Sequence, residues 1–184
     1  MKQFLYLLGI PGSGKTTLMT LATRDLISLG ETKKPFGMIH YMGGVQLGSS
    51  DPNGYGGTDR LSMSVQKAAM SWAQTTQCQA AVAEGDRLAN IGFFQCLVDA
   101  GWDLTVAYLK TAEVWAAGRR SGRGSNQDPA WLAGRTTKVE NLVAEWTARK
   151  GRIVTLDGAR SVEELTQELK KHPIWAALTR EQTH

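Results

Sequence analysis

Residues 9–16 read Gly-Ile-Pro-Gly-Ser-Gly-Lys-Thr, set between two apolar stretches. The spacing is G-x-x-x-x-G-K-[ST], and each residue type in it suits a phosphate. Glycines let the backbone curl so that several N–H groups point inward at an anion. A helix starting at the last glycine turns its positive end to the same place. A lysine adds a point charge over the outer phosphates, and a threonine offers a hydroxyl to Mg²⁺. The expected binding set is therefore Gly9, Pro11, Gly12, Ser13, Gly14, Lys15, Thr16 and Thr17. The expected ligands are a nucleoside triphosphate and Mg²⁺.

Carboxylates come next. Glu84 and Asp86 flank Gly85 at the end of an apolar run, Ala-Ala-Val-Ala, with Arg87 beside them. Ends of parallel strands face a ligand crevice. One acid there can hold Mg²⁺, with Glu84 and Thr16 as the expected pair. Another can take a proton from an acceptor hydroxyl. Asp59, in GGTDRLS, is a further base or acceptor-binding candidate, although aspartate before a helix is also a common N-cap. Arg60 and Arg87 are placed to steer an anionic acceptor.

The net charge is +4, and its excess is local. Residues 110–152 hold nine Lys/Arg against four acids, which suits a polyanion such as a nucleotide or nucleic acid. Arg119 and Arg123 fall in RRSGRGSNQ, residues 119–127, a basic glycine-rich segment expected to act as a mobile lid. Arg135 and Lys138 lie on the helix after it. Arginines delivered by a lid stabilise charge spread over a transferring phosphoryl group. Trp131 and Tyr55 lie beside these polar segments and are candidates for stacking on a base.

These residues need a scaffold. Apolar runs at 3–9, 37–42, 80–86, 103–109 and 152–158 read as strands. Helical spacing predicts helices over 15–29, 60–76, 90–100, from Asp128-Pro129 onward, and from a Ser161/Glu164 capping box. Gly30 is the expected stop of the first helix and Pro173 of the last. Alternation of this kind predicts an α/β three-layer sandwich with a five-stranded parallel sheet. At 184 residues the chain suits one domain, with an acceptor loop over about 43–59 and a basic lid over about 111–151.

Other totals are plain. Cys78 and Cys96 sit in apolar contexts and make no disulfide framework or metal site, so a reducing cytoplasm is expected. The opening MKQFLYLLGI lacks a cleavage site and reads as a buried strand. An Asn-Lys-x-Asp guanine reader is missing, and Ala81–Asp86 matches the acidic strand end of a motor ATPase poorly. Small kinases, with an acid after the third strand and arginines on a lid, fit better.

Four segments carry a resemblance: GIPGSGKTT, GGTDRLSMSVQ (56–66), AEGDRL (83–88) and WLAGRTTKVENL (131–142). With them the chain resembles the small P-loop kinases that include the nucleotide kinases. More narrowly, it is similar to bacteriophage kinases that phosphorylate 5-hydroxymethyluracil in DNA. The resemblance implies a sheet of nucleoside-kinase type, ATP as donor, and a hydroxymethyl group on a base as acceptor. It would place Lys15 and Thr16 at the donor, Asp59, Glu84 and Asp86 near the acceptor, and Arg135 and Lys138 on the lid side. A free nucleotide or nucleoside acceptor, and an ATPase that transfers only to water, stay open. A base within duplex DNA would have to be flipped out to react, and no duplex-reading motif is present. A phage origin would put the protein in the host cytoplasm.

Overall fold

The structure, a computed structural model, describes residues 1–49, 56–122 and 127–180. Its sheet is built around β1 (Lys2–Leu8), whose apolar run is unbroken because both of its faces are covered. Phe4, Tyr6 and Leu8 point to one face, where they meet Trp72, Phe93, Phe94 and Trp146. Leu5 and Leu7 point to the other, against Leu18, Leu165 and Trp175. The helices divide accordingly. One layer holds α2 (Val65–Thr75), α3 (Ile91–Asp99) and α5 (Pro129–Ala148). The other holds α1 (Lys15–Thr23), α6 (Val162–Leu169) and α7 (Ile174–Thr179). This is the expected three-layer α/β sandwich.

The sheet departs from expectation in its strand count and direction. Among the described residues it has seven strands in the order β2-β3-β4-β5-β1-β6-β7, where five were expected. β4 (Gly44–Leu47), β5 (Ala80–Glu84), β1, β6 (Trp102–Lys110) and β7 (Arg152–Asp157) are parallel neighbours. β2 (Ser28–Thr32) and β3 (Met38–Tyr41) add an antiparallel edge.

Two local effects explain the difference. α1 stops at Thr23, well short of the expected Leu29, and the chain turns back as the exposed edge strand β2. Gly30 (φ +112°) lies in that strand beside a register shift, so it marks an irregular edge rather than a helix end. β4 lies inside the segment expected to be loop. Its glycines reflect crowding. A Cβ on Gly43 would sit 1.8 Å from Ala177 O, and one on Gly44 would sit 2.0 Å from Ala80 O.

Helix boundaries follow their caps. The Asn90 side chain accepts from Phe93 N, Asp128 accepts from Trp131 N ahead of Pro129, and the Ser161/Glu164 capping box is formed. α2 begins at Val65 instead of residue 60, because Thr58–Arg60 form a separate 3-10 turn. Arg119 and Arg120 belong to a helix, α4 (Glu113–Gly122), and not to a loose segment as expected. Pro173 follows α6 and caps the short α7. Among the described residues no helix is long and apolar enough to cross a membrane.

Candidate active site

The chain leaves β1 and bends at Gly9–Gly14 before α1 begins. Gly12 (φ +82°) and Gly14 (φ +100°) hold left-handed backbone that other residues resist. A Cβ on Gly12 would also lie 2.7 Å from Ala116 O of α4. Gly14 caps α1 with no side-chain hydrogen bond, which leaves the helix's first N–H groups for a ligand. The Lys15 ammonium folds back over the bend and donates to Gly9 O (2.8 Å) and Ile10 O (3.0 Å). Ser13 is buried, and its Oγ has no hydrogen-bond partner among the described residues. Inward glycines, an uncapped helix start and a lysine together fit a polyphosphate.

The arginines of α4 brace this bend. Arg119 Nη1 donates to Ser13 O (2.6 Å) and Arg120 Nη1 to Pro11 O (2.6 Å). Arg120 is buried and pairs with Glu113 of the same helix. Its position was missed because RRSG reads as a mobile basic run. The signal was Ala116 and Arg120 at i, i+4 on an amphipathic helix.

The acids converge on the open side of the bend. Glu84, 1 % exposed at the end of β5, accepts a hydrogen bond from Thr16 Oγ1 at 3.0 Å. Burial pushes its carboxyl up to about 7, against the smaller opposing pull of Lys15; nearby Asp59 adds to the rise and the Thr16 hydrogen bond reduces it. Gly57 (φ +72°) makes room for it, since a Cβ there would lie 2.4 Å from Glu84 Oε1. Behind it the Tyr6 phenol donates to Gly85 O at 2.9 Å. Burial holds that phenol well above its ordinary value, so it remains a neutral donor.

Asp59 is not a helix cap. Its Oδ1 accepts from Asp86 N at 2.6 Å, tying the 3-10 turn to the end of β5. Asp86 in turn is gripped from α5: Arg135 pairs with Oδ2, and Lys138 Nζ lies 2.8 Å from Oδ1. Trp131, one turn before Arg135, stacks its ring 5.1 Å from that guanidinium. Arg87 reaches Asp59 O and the Met63 sulfur.

These groups surround one cavity of about 450 Å³. Its walls include Gly9, Pro11, Gly12, Gly14, Lys15, Thr16 and Thr17 from the bend, Asp59, Glu84, Asp86 and Arg87 from the acidic side, and Trp131, Arg135 and Lys138 from α5. Met63, Arg120, Gln127 and Val139 line it as well. Arg60 and Arg119 are not in its walls, and Ser13 lies behind the bend. Tyr55 and Arg123 fall outside the described residues. Among the described residues five cationic side chains face three carboxylates in this space, a balance that suits a bound polyanion.

The fold and this cavity define a small P-loop kinase. The P-loop Nucleotide Kinase3 family model matches residues 1–172, and the chain belongs to that family. No curated protein matches the sequence. Among solved structures, a deoxyadenosine kinase from M. mycoides with bound dATP has a TM-score of 0.53 at 10% identity, covering 92% of this chain and 98% of its own. A sugar kinase from Janibacter sp. HTCC2649 has a TM-score of 0.52 at 14% identity, covering 97% of this chain and 96% of its own. These likenesses are likenesses of fold.

The Asp86 clasp makes one expectation concrete. Asp86→Asn should release Arg135 and Lys138, lowering phosphoryl-transfer turnover about 10-fold or more. Both pairs are partly exposed, so stability should fall by only about 1 kcal/mol. Steady-state kinetics beside urea denaturation checks this. Unchanged kinetics with a large stability loss would make the clasp purely structural.

Proposed function

We propose that the protein transfers the γ-phosphate of ATP, with Mg²⁺, to a hydroxyl acceptor. The observation that carries this reading is the contact of Thr16 with buried Glu84 at the mouth of the phosphate bend. In this reading Thr16 and Glu84 hold Mg²⁺, which when bound neutralises charge on the outer phosphates. The bend's N–H groups and Lys15 bind and orient the polyphosphate. Arg135 and Lys138, held by Asp86, face the transferring group. Asp59 takes the acceptor's proton, because both oxygens of Asp86 are already engaged by cations. Residues 111–151 act as the lid.

The acceptor we propose is the hydroxymethyl group of 5-hydroxymethyluracil in DNA, supported by the motif resemblance and by the basic wall of α5. The cavity serves a free nucleotide or nucleoside equally well, and membership of a nucleotide-kinase family favours that second reading. The deciding assay supplies γ-labelled ATP with hydroxymethyluracil DNA, thymine DNA and a panel of free nucleosides and nucleotides. Label in the modified DNA alone is the expected result. Label only in small molecules moves the acceptor to the second reading. Free phosphate with no labelled acceptor overturns both.

A further inference from the structure

A second cavity, of about 390 Å³, lies between α1 and the β2–β3–β4 edge. Thr16 and Glu84 line it as well as the first cavity, so the two meet at that hydrogen bond. Its chemistry differs from that of the phosphate cavity. Among the described residues its one cationic wall residue is Arg24, which pairs with neighbouring Asp25, and Glu31 and Glu84 line it too. A phosphate gains little from such a set. The floor instead offers neutral polar groups. Tyr41 Oη donates to Gln46 Oε1 at 3.1 Å, and both side chains are nearly buried. That bond fixes which way the amide faces. Met19, Leu26 and Ile39 supply apolar wall. A concave apolar space with a few convergent neutral polar groups suits an uncharged, flat, hydrogen-bonding molecule.

We infer that this second cavity seats the uncharged ring of the acceptor, of nucleobase or nucleoside size, with its hydroxyl turned toward the Thr16–Glu84 boundary. The inference rests on the kinase reading above and adds a division of labour. Anionic groups lie on the α5 side of Glu84, and the neutral ring lies on the α1 side. The Gln46 amide and Tyr41 phenol then read the ring's edge.

The test is calorimetry of the full chain, saturated with magnesium and a non-hydrolysable ATP analogue. The titrants are the four 2′-deoxynucleosides and 5-hydroxymethyl-2′-deoxyuridine. At least one nucleoside should bind. Gln46→Ala should weaken that binding at least tenfold. Thr20→Trp should do the same by filling the space from an exposed position of α1, where folding is little at risk. Both variants should bind the ATP analogue within twofold of the unmodified protein. If no nucleoside binds, or if both variants bind nucleoside as the unmodified protein does, the assignment is wrong. Failure of the kinase reading looks different: the nucleoside binds, yet no acceptor in the labelled panel takes phosphate.

Discussion

Lys15→Ala lowers phosphoryl transfer at least about 1,000-fold while leaving the fold intact. The ammonium folds over the bend itself, within 3.0 Å of two of its carbonyls. In a cavity partly closed to water, one positive donor aimed at a transferring group contributes several kcal/mol to the barrier. Alanine removes that donor from both the bound state and the transition state, so turnover and triphosphate affinity should fall together. The stability loss should stay near 1 kcal/mol, because Lys15 is half-buried and its carbonyl partners can turn to water. Lys15→Arg should not restore activity, since a planar fork cannot take the place of a compact ammonium. Single-turnover transfer of labelled phosphate decides the matter. Activity within tenfold of the unmodified protein would remove the basis for the donor assignment.

The parts legible in the sequence are those set by local rules. The phosphate bend is specified by residue type at fixed spacing, and it folds as that spacing requires. The caps at Asn90, Asp128 and Ser161 are local too, and two of the three could be marked in advance. The sheet's edge was not legible because its determinants are distant. β4 reads as loop in GGVQL, since its glycines answer to Ala177 and Ala80, which lie far along the chain. Leu26 and Leu29 continue the helical spacing of α1, but pairing of residues 28–32 with β3 wins over that local preference.

The site shows the same division. That Glu84 and Asp86 stand at the cavity could be read from their place after an apolar strand. Their different situations could not. One is buried against Thr16, and the other is held by two cations from a helix some fifty residues later. Arg119 and Arg120 carried a charge signal only. Their positions on α4, against the carbonyls of Ser13 and Pro11, make them braces of the bend. A basic run in sequence thus separates in space into α4 groups that hold the loop's carbonyls, of which Arg120 also lines the cavity, and α5 groups that face the cavity.

Glu84→Gln should abolish transfer and stabilise the protein in one substitution. Burial raises the Glu84 carboxyl to about 7, so folding favours its protonated form. An acid whose folded value is raised weakens the fold as pH climbs. Between the ordinary value of 4.5 and about 7 the folded chain holds a proton that the unfolded chain has released. Stability therefore falls across that window, and above it the full penalty remains. At 1.36 kcal/mol per unit the penalty is roughly 3 kcal/mol. Glutamine keeps the shape and an oxygen for the Thr16 hydroxyl, without the charge. Measured without magnesium, the variant should melt about 5 °C or more above the unmodified protein at pH 8, and the gap should close by pH 5. With the proposed cation held by Thr16 and Glu84, transfer should fall at least about 100-fold, because no carboxylate is left beside Thr16. A variant that loses activity with no gain in melting temperature at pH 8 would show that Glu84 is not strained by burial. One that keeps activity would move the cation's anchor elsewhere. The expected pair of outcomes, more stable and inactive, is what a charge kept in the core for chemistry should produce.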